Sequence, residues 1–459
     1  MSKIRGVVLV LWLAGITQAS ELRVGWAEVD VTPDMRAGPV FIAGFGQNRK
    51  ATDIADPIMA RGVVLSDGQK TFAIVSVDVI GLFHANVERI RSQLQGIDQV
   101  IISSTHNHEG PDTLGLWGPA PTKSGVDPKY MQRLERGIVE VIESARRGLQ
   151  PVTARIGRIA LPDLIHDTRE PFVKHDELVA LRFIDRQGKD AGLIVQWNCH
   201  PETLDSKNTK ISADFVGYTV QELKSRFGCP VVYLTGTVGG LLTSLRVPIT
   251  DDQGKELKDG TFEKTERFGK KLAAAAATAL ERGEPIELTP FQARTRVVFV
   301  PCDNKIYQAL RRIKVLDREA FHWDGDPRQA RPADDSTQRI ALKTEIGWWR
   351  LGELDIAAIP GEIYSELVLN QVPDPAPEGA DFPDAPREPA IYEQLSARHR
   401  MTIGLANDEI GYILPKRLWD EKAPFTYGRK TAPYGEINSL GPEAGPILCE
   451  EFRRLVRGE

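Results

Sequence analysis

Two pairs of apolar runs in this chain are joined by links too short to hold a helix. Ala60–Leu65 meets Thr71–Val79 across Asp67-Gly68, and Leu178–Asp185 meets Ala191–Asn198 across Arg186-Gln187-Gly188. Links of that length permit only antiparallel neighbours. Between and around these pairs the pattern turns helical. Tyr130–Arg147 places Leu134, Ile138, Val141 and Ile142 on one face, residues 84–96 and Phe215–Phe227 have helical spacing, and Phe262–Glu281 is Ala-rich. Further strands are expected at Leu22–Val29, Gln99–Ser104, Pro230–Leu234, Phe291–Val300, Glu345–Arg350 and Glu353–Ile359. A chain of 459 residues with this interleaving reads as an α/β protein with mixed sheets, antiparallel pairs and flanking helices, in one large catalytic domain. The polar stretch Asp324–Gln338 and the Pro-rich stretch Pro373–Pro389 read as loops rather than domain linkers.

Charge excludes some partners. A net charge of -5, with no long Lys/Arg stripe, argues against nucleic acid. The short basic runs Lys270-Lys271 and Arg311-Arg312 read as solvated helix faces. At the start of the chain, Lys3 and Arg5 precede the apolar stretch Gly6–Ile16, and Thr17-Gln18-Ala19 offers small residues before Ser20. That stretch is too short to span a bilayer, which takes about 20 residues. It predicts a secretory signal over residues 1–19 and an exported protein, periplasmic or secreted, without a transmembrane segment. Four dispersed cysteines, Cys199, Cys229, Cys302 and Cys449, exclude a small disulfide scaffold and a zinc ribbon.

Chemistry concentrates where strands end. Ser104-Thr105-His106-Asn107-His108-Glu109-Gly110-Pro111 follows the strand Gln99–Ser104, and Gly-Pro forces a turn behind it. In extended backbone, residues two apart point the same way, so His106 and His108 can address one pocket. The same arrangement recurs at Trp197-Asn198-Cys199-His200-Pro201, and Pro360-Gly361-Glu362 places a carboxylate between a strand and a helix. Taken alone, each is also what a surface histidine or a helix-capping glutamate looks like.

Together they resemble the catalytic domain of the neutral, non-lysosomal ceramidases. Val24–Pro33, Met59-Ala60-Arg61 and Val77-Asp78 are similar to that family's opening, and Thr105–Pro111 to its Thr-His-Thr-His-Ser-Gly-Pro motif. The resemblance implies His106, His200, Glu362 and Tyr412 as ligands of one Zn2+, the last from Asn407–Tyr412. It implies His108 as the proton-transfer group beside the metal. Arg169, in Thr168-Arg169-Glu170-Pro171, and Tyr434, in Pro433-Tyr434-Gly435-Glu436, would contact substrate. Asp78 is a candidate to orient a ligand histidine.

Three departures from the family pattern bear on substrate. Gly236-Thr237-Val238-Gly239-Gly240 stands where the family carries Gly-Asp-Val-Ser-Pro, so glycine occupies the serine position. A charged and aromatic segment, Lys416–Lys430, separates Tyr412 from Tyr434, and no C-terminal immunoglobulin-like domain is expected within residues 20–459. The function implied is metal-assisted hydrolysis of N-acyl amide bonds, of ceramide or of another small-molecule or lipid substrate, with transient membrane-surface contact. A zinc hydrolase of a different N-acyl or ester compound, and a non-catalytic zinc-binding protein, are the alternatives. If position 239 shapes the pocket, serine there should shift preference among acyl substrates.

Overall fold

The backbone of the larger sheet is set by strands that are apolar on both faces. The computed structural model describes residues 21–334 and 336–459; the expected leader, residues 1–19, lies outside them. In chain order the strands are β1 (Arg23–Asp30), β2 (Met59–Ser66), β3 (Thr71–Val77), β4 (Gln99–Ser104), β5 (Gln150–Ala160), β6 (Glu177–Asp185), β7 (Asp190–Trp197), β8 (Val231–Thr235) and β9 (Glu284–Ile286). They form a nine-stranded sheet in the order β8-β7-β6-β5-β1-β2-β3-β4, with β9 on β5. The two short-linked pairs are antiparallel as expected, while β3/β4 and β7/β8 run parallel. Those parallel pairs are bridged by helices α1 (His84–Arg91) and α3 (Asp214–Phe227).

A second, five-stranded sheet follows: β10 (Phe291–Pro301), β11 (Ile340–Leu351), β12 (Leu354–Ala358) and β14 (His399–Ile403), with Phe321–His322 on β11. β12 and β14 are parallel. Between them in sequence lies β13 (Glu362–Ile363), which pairs in parallel with β15 (Tyr412–Ile413).

Alternation explains the layers. In β2 and β3, Val63, Leu65, Phe72 and Ile74 turn to one core, where they meet Trp349, Ile356, Met401 and Ile403 of the second sheet. Their neighbours Val64, Ala73 and Val75 turn the other way, under α2 (Pro128–Arg147). Leu178, Leu193, Val195 and Tyr233 pack likewise beneath α3 and α4 (Phe262–Glu281). The outer face of the second sheet is covered by a helix over Ala444–Arg457. The result is helix, sheet, sheet, helix, and burial on both faces is why so many strands read as unbroken apolar runs. The edges β4 and β8 are brought together: Thr235 Oγ1 donates to the carbonyl of Thr105 at 2.8 Å. The loops after β4, β7, β12 and β14, which carry the candidate residues, therefore open onto one place, beyond the carboxyl ends of parallel strands.

All four cysteines are buried and free. Among the described residues, no helix is long and apolar enough to cross a membrane.

Candidate metal and hydrolytic centre

Each of the two histidines expected as ligands is fixed by its own loop. His106 follows β4 with a positive φ of 66°, a conformation costing a non-glycine residue about 1–3 kcal/mol. The turn is held on both sides: Thr105 N donates to Val77 O at 2.8 Å and Asn107 N to Val79 O at 3.2 Å. His106 Nδ1 lies 2.7 Å from the carbonyl of Ile80, and His200 Nδ1 lies 2.8 Å from that of Leu242. A carbonyl only accepts, so both rings carry their proton on Nδ1 and present the Nε2 lone pair inward. Asp78 is not their partner: its carboxylate is buried against Arg61 at 2.7 Å, with Met59 N at 2.9 Å.

Glu362 and Tyr412 are direct partners in the β13/β15 register, so two residues fifty positions apart point from one short ladder. Glu362 Oε2 is 3.0 Å from His200 Nε2 and 3.4 Å from His106 Nε2, and the Tyr412 hydroxyl is 3.5 Å from His200 Nε2. Burial opposes ionisation of Glu362, but the two imidazoles outweigh it and hold the carboxyl down at about 2. Burial and the Glu362 charge push the Tyr412 phenol well above its usual range. Its phenolate form needs a cation beside it. Two inward imidazole nitrogens, a carboxylate and a phenol are a donor set that suits a divalent metal ion.

His108 completes a buried cluster of three imidazoles whose ligating atoms lie within 4.8 Å of one another. It is held differently from the other two. His108 N donates to Pro201 O at 3.1 Å, tying its loop to that of His200. The buried guanidinium of Arg49 donates to its carbonyl and to Glu109. Its ring packs edge-on to Phe45, at a centroid distance of 5.0 Å. Against the ring sits Gly44, with φ 97°, where a Cβ would fall 2.4 Å from the imidazole. Neither ring nitrogen has a hydrogen-bond partner, while Glu202 Oε2 lies 3.4 Å from Nδ1. Burial and the neighbouring imidazoles lower its proton affinity, leaving a neutral ring able to accept a proton.

His106, His108, Glu202, Glu362 and Tyr412 line a cavity of about 620 Å3, with His200 fully buried behind them; the space is ample for a lipid-sized ligand. Its walls are largely apolar, with Phe83, Leu114, Trp117, Leu316 and Leu342 among them; Tyr434 stands in the lining and Arg169 does not. Arg169 instead donates to both carboxylate oxygens of Glu436, at 2.7 Å for one, and to Leu418 O at 2.8 Å. It anchors the short helix Tyr434–Ile437 rather than facing the cavity. Replacing Arg169 with alanine leaves the Glu436 carboxylate buried and unpaired. That should lower stability by about 3–5 kcal/mol, read as a lower denaturation midpoint.

Sequence reasoning passed over Glu202, Arg49, Glu109 and the buried, cavity-lining Glu409. Glu109 follows His108 within its motif and Glu202 directly follows His200-Pro201, and that adjacency was the available signal.

The glycine at the family's serine position does not shape the pocket. Of residues 236–244, only Leu241 lines the cavity. Gly239 N donates to Ile363 O at 2.9 Å, and a Cβ would lie 2.5 Å from the Tyr364 nitrogen and from its ring. Gly239→Ser should therefore press on the segment carrying Glu362. The expected outcome is a loss of about 1–3 kcal/mol in stability and weaker metal retention, with no change of acyl preference. Melting temperature and metal content check it.

Residues 22–228 match the family model described as neutral/alkaline non-lysosomal ceramidase, N-terminal. That match covers a little under half of the chain. A curated relative, the neutral ceramidase of Pseudomonas aeruginosa, is 24% identical over 373 residues, 75% of this chain and 53% of the relative. The chain thus matches about half the length of that ceramidase. The crystal structure of the neutral ceramidase from Pseudomonas aeruginosa aligns with 95% of this chain and 74% of its own, at a TM-score of 0.70 and 18% identity. A ceramidase complexed with C2 aligns at 0.69 and 16%, covering 95% and 75%. At those identities the likeness establishes the shared α/β fold.

Proposed function

We propose that residues 20–459 form one catalytic unit that hydrolyses N-acyl amide bonds with zinc, ceramide being the leading substrate. The observation that carries this reading is the convergence of His106, His200, Glu362 and Tyr412 beside His108, all but His200 lining a largely apolar cavity. The first four residues would hold the ion. When bound, zinc supplies Lewis acidity to the acyl carbonyl and lowers the proton affinity of a water. The neutral ring of His108 takes a proton from the attacking water and returns it to the amine as the C–N bond breaks. Tyr434, half-exposed in the cavity wall, offers a hydroxyl to a polar group of the substrate. Arg169 keeps that tyrosine's helix in place through Glu436. The apolar walls take the acyl chain and exclude water. No serine nucleophile is required: the hydroxyl of Thr237 is engaged by His175 at 2.9 Å, and those of Thr243 and Ser244 by Glu202 and the His200 carbonyl. The basic and apolar residues 1–19 support export, periplasmic or secreted.

A second reading, a zinc hydrolase of another N-acyl or ester compound, draws support from Glu202 and Glu409, two acidic side chains that line the cavity besides Glu362. One experiment separates the two. The purified protein is offered N-acylsphingosines, other N-acyl amines and esters, and the released products are quantified with chelator and after added zinc. Release of sphingoid base, abolished by chelation and restored by zinc, is expected. Turnover of a non-sphingoid substrate alone would select the second reading, and no turnover of any substrate by the zinc-loaded protein would defeat both.

A further inference from the structure

Seven large apolar side chains are exposed among the described residues: Ile54, Phe172, Ile306, Ile313, Tyr427, Tyr434 and Ile437. Four of them lie on two neighbouring helices that each send a tyrosine into the cavity lining. Ile306 and Ile313, 60% and 50% exposed, belong to helix α5 (Lys305–Arg312) and its C-cap. Ile437 and Tyr434 belong to the adjacent short helix. The two helices are tied: Asn304, the N-cap of α5, donates from Nδ2 to Ile437 O at 2.9 Å. Both also build the cavity, through Tyr307 and Tyr434.

At 100° per residue, Ile306, Ala309 and Ile313 fall in one arc of roughly 60° on α5. Lys305 and Arg312 flank that arc, and Leu310, on its other side, packs with Phe83, Leu114 and Leu316 of the cavity wall. Between residues 305 and 314 there are four cations, Lys305, Arg311, Arg312 and Lys314, and no acid, in a chain whose net charge is -5. Among the described residues none of the four is in an ion pair, whereas the exposed lysines and arginines elsewhere are commonly paired. An unpaired basic helix with an outward apolar stripe is more than the solvated face its Arg-Arg run first suggests.

We propose that this two-helix face is a docking surface for an anionic lipid bilayer, seating the cavity on the membrane from which its substrate is drawn. The inference rests on the reading that the cavity accepts a lipid. Ile306, Ile313 and Ile437 enter the headgroup boundary while Lys305, Arg312 and Lys314, the three exposed cations, meet anionic headgroups, the pairing that holds amphipathic helices in a membrane interface. A second copy of this chain is a poorer occupant, because the exposed, unpaired cations would then face their own kind across a self-matching interface.

The test uses the full chain and sedimentation with vesicles of phosphatidylcholine alone or with about one third phosphatidylglycerol. Binding to the anionic vesicles, weakened by salt, is expected. Two double variants, Ile306→Ser with Ile313→Ser and, separately, Arg312→Glu with Lys314→Glu, should each weaken partition at least tenfold with an unchanged melting temperature. Equal binding to both vesicle types, equal binding by the variants, or no binding at all would overturn the proposal. So would self-association that Ile306→Ser with Ile313→Ser abolishes in the absence of vesicle binding. Hydrolysis of a water-soluble short-chain N-acyl substrate is measured alongside. It should survive in both variants, and its failure in the unaltered protein would count against the proposed function without touching the vesicle result.

Discussion

Glu362→Gln is expected to strip the protein of its metal and reduce hydrolysis to background. The change preserves the shape of the side chain and alters one oxygen and one charge. In the native site that charge is the counterpart of both inward imidazoles, at 3.0 and 3.4 Å from their Nε2 atoms. It is also largely buried, at the wall of an apolar cavity, where no other anion replaces it beside the two rings. Changing an outer-shell partner alone typically weakens metal binding by 10–100-fold; losing the anionic ligand should weaken it by at least about 100-fold. Metal content after dialysis, and the zinc concentration that half-restores activity, measure the effect. A variant that keeps a full complement of metal would remove Glu362 from the ligand set. Tyr412→Phe is the milder companion, because its phenol lies at the edge of the cluster, 3.5 Å from His200 Nε2.

How far the sequence revealed this arrangement depended on how local each signal was. The strand pairs joined at Asp67-Gly68 and Arg186-Gln187-Gly188 were legible because turn chemistry and apolar alternation agree there. The strand over Gln150–Ala160 was not: Arg155 and Arg158 interrupt its apolar pattern, and its partners β1 and β6 are set by long-range pairing. The Ala444–Arg457 helix was equally hidden, its start carrying no side-chain cap. Within the site, His106, His108, His200 and Glu362 announced themselves at strand ends, and Tyr412 came from family resemblance. Their adjacency in the β13/β15 ladder could not be read from sequence, since a two-residue parallel bridge has no periodicity of its own. Arg169 shows the opposite case. Its motif pointed to substrate contact, but a guanidinium's strongest available partner was the buried Glu436 carboxylate, 267 positions away.

The remaining question at the centre is what the third imidazole does, and His108→Ala answers it. Turnover is expected to fall by roughly 10²–10⁴, the range for loss of general acid–base help, while metal content stays near that of the unaltered protein. The argument lies in how the three rings are held. His106 and His200 each have Nδ1 committed to a backbone carbonyl, the orientation a ligand ring needs. His108 has no such anchor; its ring is placed from outside, by Phe45, Gly44 and the Arg49 contact to its carbonyl. Both its nitrogens stay available, one of them facing Glu202, which is the disposition of a group that moves a proton rather than one that holds an ion. Glu202→Gln should then cost about tenfold in turnover, because the carboxylate steadies the protonated ring, again without loss of metal. Metal content falling in step with activity in His108→Ala would instead make the three imidazoles the ligand set, and the proton-transfer role would pass to another group in the cavity floor.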